Sequence, residues 1–400
     1  MPDTSSRSET KAVLILGTRG IPAAHGGFET FAERLALFLA GRGWDVAVYC
    51  QEEVGEVTRR VSTDTWKGVT RVLVQVASRG PRATLEFDAH CVRDAASRPG
   101  VCLVLGYNGA VFLPWLRMRG RRLITNMDGI EWRRPKWNAA VKAWFWVNEW
   151  IAAWASQRLV ADHPAIADHL ATRRPAGAIA MIPYGGDPVL DADPGPLAAM
   201  RLSSGRYFLS VARIEPDNNI LLMVEAFSRA PRGDRLVVLG ALADDNPYHR
   251  RVRAAAGPEV LFPGAIYDRA ALGALRLHAR AYVHGHTVGG TNPSLVEALW
   301  AGNAVIAHDN RYNRWTAGDA GLFFRDADGF ETLVAAALAG DAAVLQAREA
   351  ARREAALRFD WDDVLRRYED EIRALAGLPE PAEPRAREAA FPGVPRPGHP

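Results

Sequence analysis

The sequence predicts an α/β protein of two doubly wound domains, each a parallel sheet with helices on both faces. Three observations predict it. At 400 residues the chain exceeds what one hydrophobic core usually supports. Short apolar runs alternate with segments of helical period, which is the pattern of a parallel sheet. That alternation restarts after GGDPVLDADPGPLAA, a stretch rich in Gly, Pro and Asp that marks a boundary.

The first domain is expected over residues 11–185. AVLILG at 12–17 is too short for a signal-peptide core or a membrane span and reads as a buried strand, so any membrane role is a surface one. A glycine-rich turn leads into FETFAERLALFLAGRG, where Phe31, Leu35, Phe38 and Leu39 share a helical face that Gly41 and Gly43 close. WDVAVYC, TRVLVQV, VCLVLG and RRLITNMDG are further strands.

The second domain, 186–345, is a similar unit but not a sequence repeat of the first. RYFLSVAR, DRLVVLG, VLFPGAI, ARAYVHG and NAVIAHD are its strands; ILLMVEAFSRA, ALGALRLHA and PSLVEALWAG are its helices. C-terminal helices follow over 346–376, the last carrying Trp361, Leu365, Tyr368 and Ile372 on one side. Residues 1–10 and the Pro, Ala, Glu and Arg tail at 377–400 read as disordered.

A net charge of +3 makes no case for nucleic acid, and no nucleic-acid-binding signature is present. Cys50, Cys91 and Cys102 are odd in number and lack metal-ligand spacing, so reduced thiols in a cytoplasmic protein are the simplest reading. The two DAD triplets, one in the linker and one after the last strand, carry little information in an Ala- and Asp-rich chain. No metal and no cofactor are expected.

The stretch GHTVGGTNPSLVEALWAG holds the strongest chemical signal. Asn292 followed by Pro293 is a helix start, with Asn as the cap and Pro in the first turn. A helix start presents N–H groups and partial positive charge, which suits a phosphate, and Gly289 and Gly290 let a ligand approach the backbone. Glu297, one turn in, is placed to accept hydrogen bonds from a ribose diol. On spacing alone, a nucleotide diphosphate site and an ordinary strand-to-helix connection with a surface Glu stand about even.

In GTRGIPAAHGGFET the glycines follow a strand and precede a helix, so this loop either faces a phosphate or acceptor or is a capped connection. Arg213 ends the second domain's first strand, where an arginine can hold a diphosphate bidentately. His284 and His286 end another strand as candidate donors to phosphate or sugar hydroxyls. Asp128 and Glu131, in NMDGIEW, are the carboxylates placed to act near an acceptor; Asp128 as an Asx-turn residue is nearly as well supported.

Four motifs now carry a resemblance: GTRGIPAAHGGFETFAERLA, NMDGIEW, RIEPDNN and HGHTVGGTNPSLVEAL, in that order over roughly residues 11–325. They resemble those of retaining glycosyltransferases of family four, which have the GT-B fold, and most closely a bacterial branch containing rhamnosyltransferases of capsule and exopolysaccharide assembly. The resemblance implies two Rossmann-like domains facing a cleft, with the C-terminal helices of 346–376 returning to the first. Glu297 matches the second Glu of the family's donor signature, and the first falls on Gly289. Asn218 stands where the family commonly has Lys, His286 where it often has Ser, and Met127 where relatives have His.

The implied donor-binding set is Glu297, Gly289, Gly290, Thr291, Asn292, Ser294, His286, Asn218 and Ile266. Arg213, Asp128 and Glu131 are the implied catalytic set, and Gly26, Gly27, Phe28 and Glu29 form the acceptor-side or phosphate loop. The implied reaction is transfer of a sugar, first choice rhamnose from dTDP-rhamnose, with retention onto a saccharide acceptor that is lipid-linked. A UDP-hexose donor is the alternative, and a sugar-nucleotide epimerase or a non-catalytic nucleotide-sugar binder is the rival.

The segment 132–154 holds half of the chain's twelve tryptophans, with basic neighbours Arg133, Arg134, Lys136 and Lys142. Trp137, Val141, Trp144 and Ile151 form one stripe that can pack on the sheet; Trp146, Trp150 and Trp154 form a second. Either the helix is buried on both sides or its second stripe meets a protein or an anionic bilayer at the inner face of the membrane.

Overall fold

The computed structural model describes residues 11–24, 26–53 and 60–379, so the ends expected to be disordered fall almost wholly outside the described residues. The chain divides into two compact units. Among the described residues the first comprises 11–133, 137–183 and 362–379, and the second 134–136 and 184–361.

The first unit is an eight-stranded sheet of β1 (Ala12–Leu16), β2 (Asp45–Glu53), β3 (Val61–Trp66), β4 (Val69–Val76), β5 (Val101–Leu105), β6 (Arg122–Asn126), β7 (Arg158–Ala161) and β8 (Ile179–Met181), in the order β3-β4-β2-β1-β5-β6-β7-β8. All neighbours are parallel except β3 and β4. The interior strands β1 and β5 are buried along their whole length, which is why they read as unbroken apolar runs. β3 is an edge strand, VSTDTW, whose side chains alternate between half-buried and exposed, so no apolar run announces it.

Five helices lie between these strands: α1 (Gly27–Gly41), α2 (Pro81–Ala95), α3 (Leu113–Met118), α4 (Ala139–Ala155) and α5 (Pro164–Leu170). Phe31, Leu35 and Leu39 of α1 are buried as expected, together with Ala32 and Ala36, while Phe38 is half-buried under Arg42.

The helix α4 departs from the expectation. Its buried residues are Asn148, Glu149, Ala152, Ala153 and Ala155, while Trp144, Trp146 and Trp154 are 39%, 45% and 61% exposed. The polar pair is satisfied inside. Asn148 accepts from the Val111 amide at 2.8 Å and donates to the Trp144 carbonyl at 2.9 Å. Glu149 accepts from Trp132 Nε1, His169 Nε2 and Arg173 Nε at 2.8–2.9 Å. Small residues let α4 lie close to its neighbours, and the bulky indoles are left outside.

The second unit has a six-stranded, wholly parallel sheet of β9 (Tyr207–Val211), β10 (Arg235–Leu239), β11 (Val260–Leu261), β12 (Ala281–His284), β13 (Val305–His308) and β14 (Gly321–Phe324), in the order β11-β10-β9-β12-β13-β14. Its helices are α6 (Gly195–Ala199), α7 (Ile220–Ser228), α8 (Pro247–Ala255), α9 (Arg269–Leu277), α10 (Pro293–Trp300), α11 (Arg311–Ala317), α12 (Ala327–Ala339) and α13 (Ala342–Arg358). Two apolar clusters cover the two faces of the sheet.

The expected grouping of 346–376 is corrected in part. Ala350, Ala351 and Ala355 of α13 are buried with Leu295 and Leu299 of α10, so 346–358 stays in the second unit. Only α14 (Trp361–Ala376) belongs to the first unit, apart from its first residue. Its predicted stripe of Trp361, Leu365, Tyr368 and Ile372 is buried. Within the first unit Asn126 Nδ2 donates to the Tyr368 hydroxyl at 2.7 Å, and Trp44 Nε1 donates to Glu369 at 3.0 Å. The three cysteines are free and buried. No single helix among the described residues is long and apolar enough to cross a membrane.

Candidate functional site

From β9 the chain builds outward to β10 and β11, then returns to build β12, β13 and β14 on the other side. The crevice beyond the C-terminal ends of β9 and β12 is therefore the switch point of the second sheet, where open α/β folds bind ligands. The sequence candidates Arg213, His286 and the glycine turn all follow these two strands.

The loop after β9 is fastened to the loop after β12 by backbone and amide contacts. Asn219, in the left-handed region at φ 51°, donates from Nδ2 to the Gly285 carbonyl at 2.9 Å. A Cβ on residue 285 would lie 2.3 Å from the Asn218 carbonyl oxygen, so only glycine fits this approach. Thr287 donates from its amide and hydroxyl to the Asp217 carbonyl at 2.9 and 3.0 Å. Asn218 is buried, and its Nδ2 donates to the Arg213 carbonyl at 2.7 Å. The structure thus uses Asn218 as a brace beneath Arg213; it does not supply the second cation that a Lys would.

The Arg213 side chain is 65% exposed, with Nη1 3.1 Å from Glu215, so its guanidinium stays accessible to an anion. His284 and His286 stack ring on ring, centroids 4.1 Å apart and 6° from parallel. Burial pushes His284 far down and His286 down to about 3; the Asp217 charge opposes the shift of His286, and those of Arg134 and Arg213 add to it. Both rings are neutral at pH 7. Both nitrogens of His284 and Nδ1 of His286 are buried without a partner among the described residues.

The turn before α10 shows which amides an anion can use. Pro293 has no N–H, Ser294 gives its N–H to the Asn292 side chain at 3.0 Å, and Leu295 and Val296 give theirs to the Asn292 carbonyl at 3.1 Å. The helix has therefore satisfied its own first donors. Among the described residues no hydrogen bond uses the amides of Val288, Gly289, Gly290 or Asn292, and those of Gly289 and Gly290 carry no side chain to screen them from a ligand. Gly289 sits at φ 144°, where a Cβ would meet no atom but the backbone would be strained. That conformation accounts physically for glycine at this place.

Glu297 is not a lone carboxylate. Its Oε2 pairs with Arg276 of α9, a buried arginine that the sequence reading missed. Thr291 is buried, Asn292 and Ser294 are half-buried, and Ile266 packs half-buried against the core beneath the site.

In the first unit Asp128 and Glu131 lie on the loop after β6. Asp128 is in the left-handed region at φ 50°, and its amide donates to Asn126 Oδ1 at 2.9 Å. The Asx turn is made by Asn126, not by Asp128. The buried Tyr107 hydroxyl fixes the same loop, donating to the Gly129 carbonyl at 3.1 Å and accepting from the Glu131 amide at 2.9 Å. Gly27, Phe28 and Glu29 line a cavity of about 310 Å³ that Asp128 and Glu131 do not reach. Glu29 is buried and folds back over the start of α1, where a Cβ on Gly26 would meet its Oε2 at 2.9 Å. A carboxylate therefore occupies the end of α1 that a phosphate would need.

Taken together these features define a GT-B protein: two doubly wound units, each with candidate ligand residues at its own switch point. A family model described as "Domain of unknown function (DUF1972)" matches residues 10–187. No curated protein matches the sequence. Sucrose-phosphate synthase (tll1590) from Thermosynechococcus elongatus is similar in structure at a TM-score of 0.77 and 16% identity, covering 92% of this chain and 99% of that one. HepE (Alr3699) from Anabaena, solved with UDP and glucose, is similar at 0.71 and 14%, covering 91% and 99%. An α,α-trehalose-phosphate synthase (UDP-forming) from Burkholderia xenovorans, solved with glucose-6-phosphate, is similar at 0.69 and 15%, covering 91% and 99%. At these identities the likeness establishes the fold.

Proposed function

We propose that this protein is a retaining glycosyltransferase that takes a nucleotide sugar on its second unit and a saccharide acceptor on its first. One observation carries the reading. At the β9/β12 switch point an exposed Arg213, the neutral His286 and the unused amides of Gly289 and Gly290 surround the start of a helix. That set suits a diphosphate leaving group, whose developing charge fixed donors stabilise without a metal. Glu297, steadied by Arg276, is the residue for the ribose hydroxyls. The UDP bound by HepE and the UDP formed by the trehalose-phosphate synthase support a nucleotide-sugar donor.

The four-motif resemblance favours dTDP-rhamnose, with a UDP-hexose as second reading because the structural relatives carry UDP and glucose. With Glu297 assigned to the ribose and held by Arg276, and Glu215 paired with Arg213, no carboxylate is assigned as a nucleophile, and front-face attack is favoured over a glycosyl-enzyme. Asp128 or Glu131 is the candidate group near the acceptor hydroxyl. The full chain is incubated with dTDP-rhamnose or UDP-glucose, with and without a lipid-linked saccharide, and release of dTDP or UDP and transfer of label are followed. Acceptor-dependent release from one donor, unaffected by EDTA, is expected. Binding without turnover of either donor, or isomerisation of the sugar without transfer, overturns the reading.

The acceptor in this reading is lipid-linked, used by a cytoplasmic protein at the inner membrane face in cell-surface polysaccharide synthesis. What supports it is the outer side of α4 and its neighbour α3: Trp115, Met118, Trp146, Val147 and Trp154 are 44–73% exposed. Arg119 lies over Trp115 and Arg174 over Trp154, giving an apolar surface with a cationic fringe. Flotation with phosphatidylglycerol vesicles, lost in Trp146→Ser/Trp154→Ser and absent with phosphatidylcholine alone, is expected. Equal flotation of wild type and variant counts against it.

A further inference from the structure

The first sheet also has a switch point, between β1 and β5, because β1 leads to β2 and β4 on one side and β5 to β6, β7 and β8 on the other. The cavity of about 310 Å³ sits there. Its walls are unlike those of the second unit's site. Phe87, Cys91 and Leu113 are buried apolar walls, and Thr84, Asn108, Gln51, Arg19, Glu29 and the carboxyl of Asp88 on α2 are polar groups set among them.

Asp88 is the feature that needs an explanation. Among the described residues no hydrogen bond or ion pair reaches its carboxyl, and it is only half-buried, so it opens into the cavity. Its place is made by a missing side chain across the way, since a Cβ on residue 109 would lie 2.1 Å from Asp88 Oδ2. Burial alone pushes this carboxyl up to about 7. A half-buried carboxyl with no partner among the described residues keeps its hydrogen-bonding capacity for whatever enters the cavity.

We infer that this cavity binds one neutral, hydroxyl-bearing sugar ring, with Asp88 as the residue that selects it by hydrogen bonding to ring hydroxyls. The apolar walls suit the C–H faces of a sugar. Two acidic groups, Glu29 and Asp88, face the space against one cation, Arg19, so the lining offers a phosphate or a carboxylate no net positive charge. A second cavity of about 660 Å³ shares Arg19, Glu29, Gln51 and Thr84 with the first, so the pair has room for more than one ring. Taking the ring to be part of the acceptor rests on the proposed function; the sugar-binding site itself does not.

The test uses the full chain with no nucleotide present. Methyl glycosides of glucose, galactose and rhamnose are titrated and followed by saturation-transfer NMR and calorimetry. Binding of at least one is expected, about tenfold weaker in Asp88→Leu, the loss of roughly one good hydrogen bond. In Gly109→Val, which drives a side chain into the carboxyl's place, it should be lost. Asp88→Asn, which keeps the shape and both hydrogen-bonding roles, should stay within about threefold of wild type. Thermal stabilisation by UDP or dTDP serves as the folding control and should be the same in all variants. Failure of every glycoside to bind, or equal binding by wild type and Asp88→Leu, overturns the inference. Sugar binding that persists in a chain found not to turn over nucleotide sugars would refute the proposed function and leave this site standing.

Discussion

The two switch points are built on one plan and furnished in opposite ways. In each, a glycine-bearing turn leads from the end of an interior strand toward a helix start. Beyond β1 the helix start is covered by its own Glu29, and the remaining carboxyl, Asp88, has no charge partner. Beyond β9 and β12 the nearby carboxylate, Glu297, is tied back by Arg276 and a second arginine is left exposed. The same backbone device thus presents a neutral, acid-lined hollow in one unit and an anion-receptive rim in the other. The lesson is that a glycine turn before a helix does not by itself mean phosphate; the side chain that reaches its donors first decides.

The largest test removes the cation. Arg213→Ala should lower kcat/KM for the nucleotide sugar about 10²- to 10³-fold, the range for loss of one preorganised donor to developing charge. A change below threefold in the turnover assay would erase the contrast between the two sites. Because Arg213 is largely exposed and Asn218 braces only its carbonyl, the substitution should leave the melting temperature unaltered.

The next test uses two carboxyls of the first unit that shift in opposite directions. Asp88 has a folded pKa of about 7, above its unfolded value, so the folded state binds the extra proton and stability falls as pH rises from about 4 to 7. The titratable or charged groups around that cavity are Cys91 on the same helix, Glu29 on α1 and Arg19 on the loop after β1. Asp88→Asn should therefore raise stability by up to a few kcal/mol above pH 7 and by little near pH 4. Burial also penalises Glu149, but its bonds to His169, Arg173 and Trp132 outweigh that and hold it below the usual carboxylate range. Its contribution is present above the unfolded pKa and is lost as pH falls through the folded one. Glu149→Ala should cost about 3–5 kcal/mol at pH 7, the usual loss when a buried ion pair is broken from one side. Denaturant melts of the variants between pH 4 and 8 read both signs; a pH-independent Asp88→Asn effect would break the comparison.

The strands that matter were legible because they are buried on both faces: AVLIL, VCLVL and RLVVL show the parallel-sheet pattern undisguised. The cap at Asn292 and Pro293 was legible for the same local reason. What was not legible depends on distant partners. Nothing near Glu297 in sequence announces Arg276, and nothing near Gly109 announces Asp88. The tryptophan stripes of α4 misled because hydrophobic bulk normally marks the inner face. Here that face is lined by alanines and by a polar pair whose partners, Val111, Trp132, His169 and Arg173, are scattered between positions 111 and 173.

A smaller effect probes the backbone of the anion-receptive turn. At φ 144° Gly289 occupies a region costly for other residues, so Gly289→Ala should cost about 1–3 kcal/mol in stability or, if the turn relaxes, a comparable loss in nucleotide affinity. A Cβ there meets open space, so strain, not collision, is the cause. An alanine variant with unchanged melting and unchanged UDP or dTDP binding would show that this turn is not held in its glycine conformation.

The smallest effect separates capping from ligand binding at Asn292. Its side chain accepts from the Ser294 amide at 3.0 Å, so Asn292→Ala should destabilise the ligand-free protein by about 1 kcal/mol, and Asn292→Ser should restore most of that. Because the donors proposed for the diphosphate are the amides of Gly289 and Gly290, the cap acts on the nucleotide only by fixing the turn they belong to. The serine variant should then bind UDP or dTDP like wild type, while the alanine variant binds a few-fold more weakly. If serine restores stability but not binding, the asparagine amide itself touches the ligand, and the second switch point reads anions with side chains, as the first reads hydroxyls with Asp88.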